Sequence, residues 1–486
     1  MGNWKLWGVI VVYAMVVVAQ IHWGIPGPEH PFTYQMDEWH SLQSIRYLFN
    51  YRSVNIEGTG YITVLFYVLA GVWLIPFWLA GFINPPAIKS VIDNLPMQFK
   101  LFEVLRLNTL AWGILALIML YKLTRDWKAV ALFAFTPIWL ALSGLFKHDI
   151  AVAAATLTTL YFCLGKRWKL AGVITGLAMG IKISLLPLAA IYVGSGILFK
   201  RRLVIGVVIM LAAFLLTGIP DIFWKSERYL VELKANLVTS PHQDGNIKLG
   251  MPVAQYLIGH QFGYIFGYFM YGLFWVSLVI LLLKRGKNRE EILILGGLVV
   301  FGLSLVPLGL GAGSNRALVL LPFMVLVIIK ARRWPAWLLA MVLTAQIWQS
   351  ANILTIKFAP DVRQVASQWM MANLPKETVV GVENIPIYQY LPDAVMNGSY
   401  KYQEVNGRLP SVVIVTNGEQ AQRLWKKSPK LDLLKRLKDE GYIEKMVFRP
   451  QVWGNIRDFE LANLIPTPTS ISFYVRKGLG LEIRAK

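Results

Sequence analysis

Cysteine is almost absent. Cys163 alone occurs in 486 residues, inside an apolar stretch, so no disulfide framework exists and the thiol reads as packing. Charge is scarce as well: Asp, Glu, Lys and Arg make up 15% of the chain, against about 25% in soluble globular proteins. That excludes an ordinary soluble fold. Acidic residues are fewer than basic ones, 27 against 48. The net charge of +21 nevertheless does not mark a nucleic-acid binder, because the cations sit in short clusters between apolar runs. Internal repeats and low-complexity segments are missing. So is a small-x-small cleavage site after the first apolar run, which therefore reads as an uncleaved span continuing to Trp23.

What is abundant is hydrophobicity, 56% of residues. Apolar runs long enough to cross lipid recur from residue 5 to residue 350 and then stop. Of 29 Lys and Arg before residue 351, 17 fall in six short segments: Lys5, 122–128, 166–169, 200–202, 284–289 and 330–333. Each flanks an apolar run, the positive-inside pattern. With these six in the cytoplasm, the path is a first span near 5–23, an outer loop 24–99, and spans near 100–121, 128–147 and 149–164. A hairpin over 169–198 follows, turning outside near Lys182. Spans 202–219, 263–283, 291–308, 316–329 and 334–350 complete the set, with a second outer loop over 220–262. The expected fold is thus a polytopic α-helical membrane protein of about 11 transmembrane helices. Its N-terminus is cytoplasmic and it resides in a plasma (inner) membrane.

Residues 61–83 are apolar enough to span, but counting them would put 122–128 outside. Gly71 and Pro76 interrupt the segment, and Trp73, Phe77 and Trp78 suit an interface. It reads as a helix on or dipping into the outer leaflet. Residues 351–486 differ in kind, with short strands over Val379–Val382, Val412–Val415 and Ile471–Val475 and helical periodicity over 361–373 and 419–440. This makes a membrane domain, 1–350, followed by a small α/β domain, 351–486, on the extracytoplasmic side.

Of 14 acidic residues before 351, 11 lie outside the cytoplasmic loops. Asp37-Glu38, flanked by Trp39 and His40, could supply a general base or a cation ligand; an isolated Asp-Glu pair is also what a solvated loop shows. Asp149, in Lys147-His148-Asp149, is placed either to cap a helix or to serve a site. Lys182 stands in an otherwise apolar stretch, where an unpaired lysine is expensive unless it snorkels to the surface or is used. Arg316 closes the glycine-rich Gly309-Leu-Gly-Ala-Gly-Ser-Asn-Arg316, either a tight turn or, with its backbone amides, a phosphate cradle. The 220–262 loop holds His242, Asp244 and His260 without a ligand spacing. Topology places all of these on one membrane face, although they come from positions 37 to 316.

Met36-Asp37-Glu38-Trp39-His40, Lys147-His148-Asp149, Gly176-Leu-Ala-Met-Gly-Ile-Lys182, Asn315-Arg316-Ala-Leu-Val-Leu-Leu-Pro322 and Asp361-Val-Arg-Gln-Val-Ala-Ser-Gln-Trp369 together resemble the GT-C superfamily of membrane glycosyltransferases. The resemblance is to its protein O-mannosyltransferase and aminoarabinose transferase branch. It implies a hexosyl or pentosyl transferase that takes sugar from a polyprenyl-phosphate donor lipid to the hydroxyl of a lipid, glycan or protein acceptor, with inversion. Asp37 would be the base and Glu38 a second carboxylate, while Lys182, Arg316 and Arg106 would hold the donor phosphate. Asp149, with Lys147 and His148, would form the acceptor or second acidic site, and Asp37, Asp149 and His242 could share Mg or Mn. The Trp-Trp-Asp signature of oligosaccharyltransferases is absent, and the 220–262 loop matches weakly. The rival readings are a secondary transporter, which would favour repeats and mid-membrane polar groups, and a scaffold without catalysis.

Overall fold

The computed structural model describes residues 4–31, 33–52, 62–83, 95–165, 167–234, 248–249, 262–305, 314–383, 390–451, 465 and 467–477. The helices are α1 Trp4–Ala19, α2 Met36–Tyr51, α3 Leu65–Leu79, α4 Leu95–Thr124, α5 Trp127–Ala134, α6 Pro137–Ser143, α7 His148–Leu164, α8 Trp168–Ile181, α9 Pro187–Leu198, α10 Leu203–Thr217 and α11 Ser226–Lys234. After the two-residue strand β1, Lys248–Leu249, come α12 Phe262–Phe266, α13 Tyr268–Leu283, α14 Arg289–Leu305, α15 Ser314–Ala317, α16 Leu321–Ala331 and α17 Ala336–Phe358.

Among the described residues, two stretches are long and apolar enough to cross a membrane alone, Phe99–Thr124 and Ala336–Asn373, and shorter apolar helices stand beside them. Their outer faces are apolar too. On α10, Val204, Ile205, Val208, Leu211 and Leu216 are exposed, and on α13 so are Phe269, Val276, Val279 and Leu282. Water would not tolerate so continuous an apolar surface, and hydrocarbon would. The chain is a polytopic helical membrane protein.

Several expected spans are interrupted. The 128–147 run divides into α5 and α6, because Pro137 lacks the N–H that would continue the ladder and opens the second piece instead. The 263–283 run breaks at Gly267, whose φ of 88° lies in the region that favours glycine. By contrast, α17 runs on to Phe358, past the expected end at 350. The hairpin over 169–198 turns at Lys182, as anticipated, through a short 3-10 turn at Ile183–Leu185.

All six basic segments meet at one end of the bundle. Lys5 lies 5.5 Å from the Trp127 ring and Lys122 lies 5.7 Å from that of Tyr161. The Trp168 indole donates to the Arg202 carbonyl, Arg289 stacks over Phe199, and Lys330 bonds Glu290. At the opposite end, the Val64 amide donates to the Gly218 carbonyl and the Trp73 indole to the Val104 carbonyl. Those contacts keep α3 at that end. Its 15 residues span about 22 Å, short of the ~30 Å hydrocarbon core.

Gly172, Gly176 and Gly180 form a stripe on α8 that lets α10 approach closely. A Cβ at Gly176 would sit 2.3 Å from the Met210 carbonyl oxygen, so only glycine fits this crossing. The glycine pattern before Lys182 therefore has a packing cause, and it sets where that lysine emerges.

Beyond α17, Asp361 caps α18 Val362–Asn373 by accepting from the Arg363 amide. The remaining elements are β2 Val380–Val382, α19 Asp393–Met396, β3 Tyr402–Glu404, β4 Val412–Thr416, α20 Gly418–Leu424, β5 Trp425–Lys427, α21 Pro429–Asp439, β6 Tyr442–Phe448 and β7 Ile471–Arg476. A five-stranded mixed sheet has the order β3-β2-β4-β7-β6, and β4, Val-Val-Ile-Val-Thr, is its buried centre. The single helical stretch expected over 419–440 is instead α20, β5 and α21, because Ser428-Pro429 caps and starts a new helix.

Candidate active site

Two segments meet face to face at the end of the bundle away from the basic loops. One is the first turn of α2, where Gln35 accepts from the Asp37 amide. The other is the 144–149 turn leading into α7. Glu38 Oε1 accepts from the Phe146 amide at 2.6 Å, while Asp37 Oδ2 pairs with Lys147 Nζ at 2.7 Å. Adjacent residues on one segment thus grip adjacent residues on the other.

From Asp37 a line of alternating charges runs inward. Lys147 Nζ is 2.7 Å from Asp37 and 3.6 Å from Asp149 Oδ2, and Asp149 Oδ1 accepts from Lys182 Nζ at 2.8 Å. His148 Nε2 stands 4.0 Å from the same carboxylate and packs edge-on against Phe66. Arg316, in the short α15, is near enough for its charge to act on Lys182. Asp149 is buried, with 2% of its side chain exposed, and so is Lys147 at 4%. The two ends are open: Asp37 keeps 44% of its side chain exposed and Lys182 21%. The Lys147 ammonium holds the Asp37 carboxyl below the usual carboxylate range. Asp37 is therefore ionised at neutral pH and partly open to solvent, and Lys182, whose side chain is partly exposed, donates to Asp149.

Glu38 and Arg106 are arranged differently. Nε and one terminal nitrogen of Arg106 donate to the two Glu38 oxygens at 2.9 and 2.7 Å. The other terminal nitrogen reaches the Ile21 and Trp23 carbonyls at 2.5 and 2.6 Å. Neither side chain has any exposed surface. This is a closed bidentate pair, turned away from the line that starts at Asp37.

The loop carrying Asp37 is also held from its other side. Tyr34 donates to Asp393 Oδ2 at 2.9 Å, and the Arg363 guanidinium lies 3.3 Å from the centre of the Tyr34 ring while bonding Asp361. Lys357 Nζ donates to Gln20 Oε1 and the Ala141 carbonyl, both at 2.7 Å. Lys357 carries the same signal as Lys182, a lysine inside an apolar run. Closing the last span at residue 350 concealed it. The contacts of Tyr34 with Asp393 and Arg363 gave no sequence signal, since these partners lie hundreds of positions away. His242 and the glycines of 309–313 lie outside the described residues.

No family model matches the chain, and no curated protein does. Among solved structures it is similar to ArnT from Cupriavidus metallidurans bound to undecaprenyl phosphate. That match has 12% sequence identity and a TM-score of 0.48, covering 97% of this chain and 98% of that one.

Proposed function

We propose that the chain is a GT-C-type glycosyltransferase that moves a hexosyl or pentosyl group from a polyprenyl-phosphate donor to an acceptor hydroxyl, at the membrane face opposite the basic loops. The observation that carries this reading is the Asp37–Lys147–Asp149–Lys182 line, which begins at the partly exposed, ionised Asp37 carboxylate and ends at Lys182, whose side chain is partly exposed. Transfer of a phosphate-linked sugar needs those two groups: a proton acceptor for the attacking hydroxyl and a cation for the departing phosphate.

In this mechanism the acceptor hydroxyl attacks the anomeric carbon from the side opposite the phosphate, and Asp37 takes its proton. The anomeric C–O bond breaks with its electron pair passing to the phosphate oxygen. Lys182 and Arg316 stabilise that charge, and the sugar leaves inverted. Asp149 holds Lys147 and Lys182 at a fixed spacing, with His148 as a neutral wall. Glu38 and Arg106 act as a strut that fixes the pitch of α2 and the 144–149 turn, rather than as a second base and a phosphate ligand.

Magnesium or manganese shared by Asp37 and Asp149 does not fit this arrangement. The Lys147 ammonium stands between the two carboxylates where a shared ion would sit. His242, the third candidate ligand, lies outside the described residues. No step above uses a metal. The cytoplasmic N-terminus and the extracytoplasmic α/β region follow from assigning the basic end to the cytoplasm, and we place the chain in a plasma (inner) membrane. Charges that cluster at helix ends, and not at mid-membrane, weigh against a transporter.

The test supplies purified protein with a set of polyprenyl-phosphate hexoses and pentoses and with cell-envelope lipid, glycan and protein fractions as the source of acceptor hydroxyls. It follows release of polyprenyl phosphate and the anomeric configuration of the product. The reading expects consumption of at least one donor with inversion. Release no faster than with heat-inactivated protein for every donor, or vectorial uptake of a solute instead, contradicts it.

A further inference from the structure

The opposite end of α7 carries a second site. Where α4, α7, α14 and α16 end together, a pocket of about 180 Å³ opens between Lys122, Tyr161, Glu290 and Lys330. Its floor includes Leu160 and Leu326, both buried in the bundle. Lys330 is held by Glu290 at 2.7 Å, and Lys122 is exposed and lies over the Tyr161 ring at 5.7 Å. Two ammoniums against one carboxylate leave the rim at a formal +1. An apolar floor under a cationic rim suits an amphiphile: a phosphate at the rim and hydrocarbon below it.

We infer that this pocket binds the phosphate headgroup of an anionic membrane lipid at the face opposite the Asp37 site. Basic pockets between membrane helices take such headgroups, and each lysine near an anionic surface contributes about 1 kcal/mol. The remaining basic segments surround the pocket and would concentrate anionic lipid there. The side chains on its rim decide where the headgroup settles. Asp149 and Tyr161 are twelve residues apart on α7, about 18 Å, so the pocket is separate from the transfer site and its occupancy does not depend on the transferase reading. A lipid there would tie four helix ends together and brace the helix whose other end carries Asp149.

The experiment measures binding to the full chain in neutral detergent by native mass spectrometry, with thermal unfolding as a second readout. The probes are phosphatidylglycerol, phosphatidylcholine and inorganic phosphate. Phosphatidylglycerol is expected to bind and raise the unfolding temperature; phosphatidylcholine and inorganic phosphate are not. The double variant Lys122→Gln/Lys330→Gln is expected to bind phosphatidylglycerol about 30-fold more weakly. Arg285→Gln, a change on the same face outside the pocket, is expected to bind as the unchanged protein does. Equal binding by the double variant overturns the proposal. So does an equal loss in Arg285→Gln, which would make the effect one of diffuse surface charge. Stabilisation by inorganic phosphate alone would overturn the lipid assignment.

Discussion

Asp37 and Glu38 are chain neighbours in two differently built regions. The Glu38–Arg106 pair is sealed, with every carboxylate oxygen occupied and no exposed surface. The Asp37–Lys147–Asp149–Lys182 line is buried in its middle and open at both ends. The sealed pair can hold geometry but cannot meet a substrate, whereas the open line can do both. In the proposed mechanism the acidic pair at the start of α2 divides its labour: Glu38 fixes the helix, and Asp37, paired with Lys147 and partly exposed, takes the proton.

The sharpest way to break this comparison is to open the sealed pair. Glu38→Gln or Arg106→Gln leaves a buried charge without its counter-ion, at a cost of about 3–5 kcal/mol. Thermal unfolding in detergent should fall markedly for both. An unchanged midpoint would remove the strut from the account. Next in size is the open end of the line. Lys182→Gln should lower kcat for donor cleavage about 10²–10³-fold while keeping the folded state, since Asp149 retains Lys147. A loss confined to stability would place Lys182 with the strut.

Smaller effects sharpen the electrostatics. The Lys147 ammonium lowers the Asp37 carboxyl from its ordinary value, so the acid limb of kcat/KM should lie below the usual carboxylate range. Lys147→Gln should move that limb upward, and a fixed limb would show that another group titrates. The smallest effect concerns the junction with the α/β region. Burial pushes Asp393 up to about 7, in spite of Arg363 and the Tyr34 hydroxyl, which favour its ionised form. A carboxyl raised on folding contributes stability that is complete below its unfolded value and is lost as pH rises toward 7. Asp393→Asn should therefore flatten the decline in unfolding midpoint between pH 4 and 8.

Much of this site was legible because charge is expensive in lipid. Lys147, Asp149, Lys182 and Arg316 stand out at the ends of apolar runs, and the basic loops order those ends by side. In the structure the six basic segments do meet at one end. Pairing was not legible. Glu38 and Arg106 are 68 positions apart, and nothing local distinguishes a carboxylate that finds a buried arginine from one left in solvent. Lys357 went unread for a related reason: its helix continues past the point where hydropathy alone ends it, and its partners are Gln20 and a carbonyl. The breaks at Pro137 and Gly267 follow from proline's missing N–H and from a positive φ. Those features are visible in sequence, but apolar runs outweighed them. In the α/β region, β4 announced itself through β-branched residues. The charged, half-exposed β6 did not, because its place is set by pairing with β7.

The division between neighbouring carboxylates is tested most directly by one paired measurement: donor turnover and thermal unfolding of Asp37→Asn and Glu38→Gln against the unchanged protein. Asp37→Asn is expected to unfold within a few degrees of the parent and to lose about 10²–10⁴-fold in turnover. Glu38→Gln is expected to lose stability first. Parental turnover by a well-folded Asp37→Asn would contradict the account.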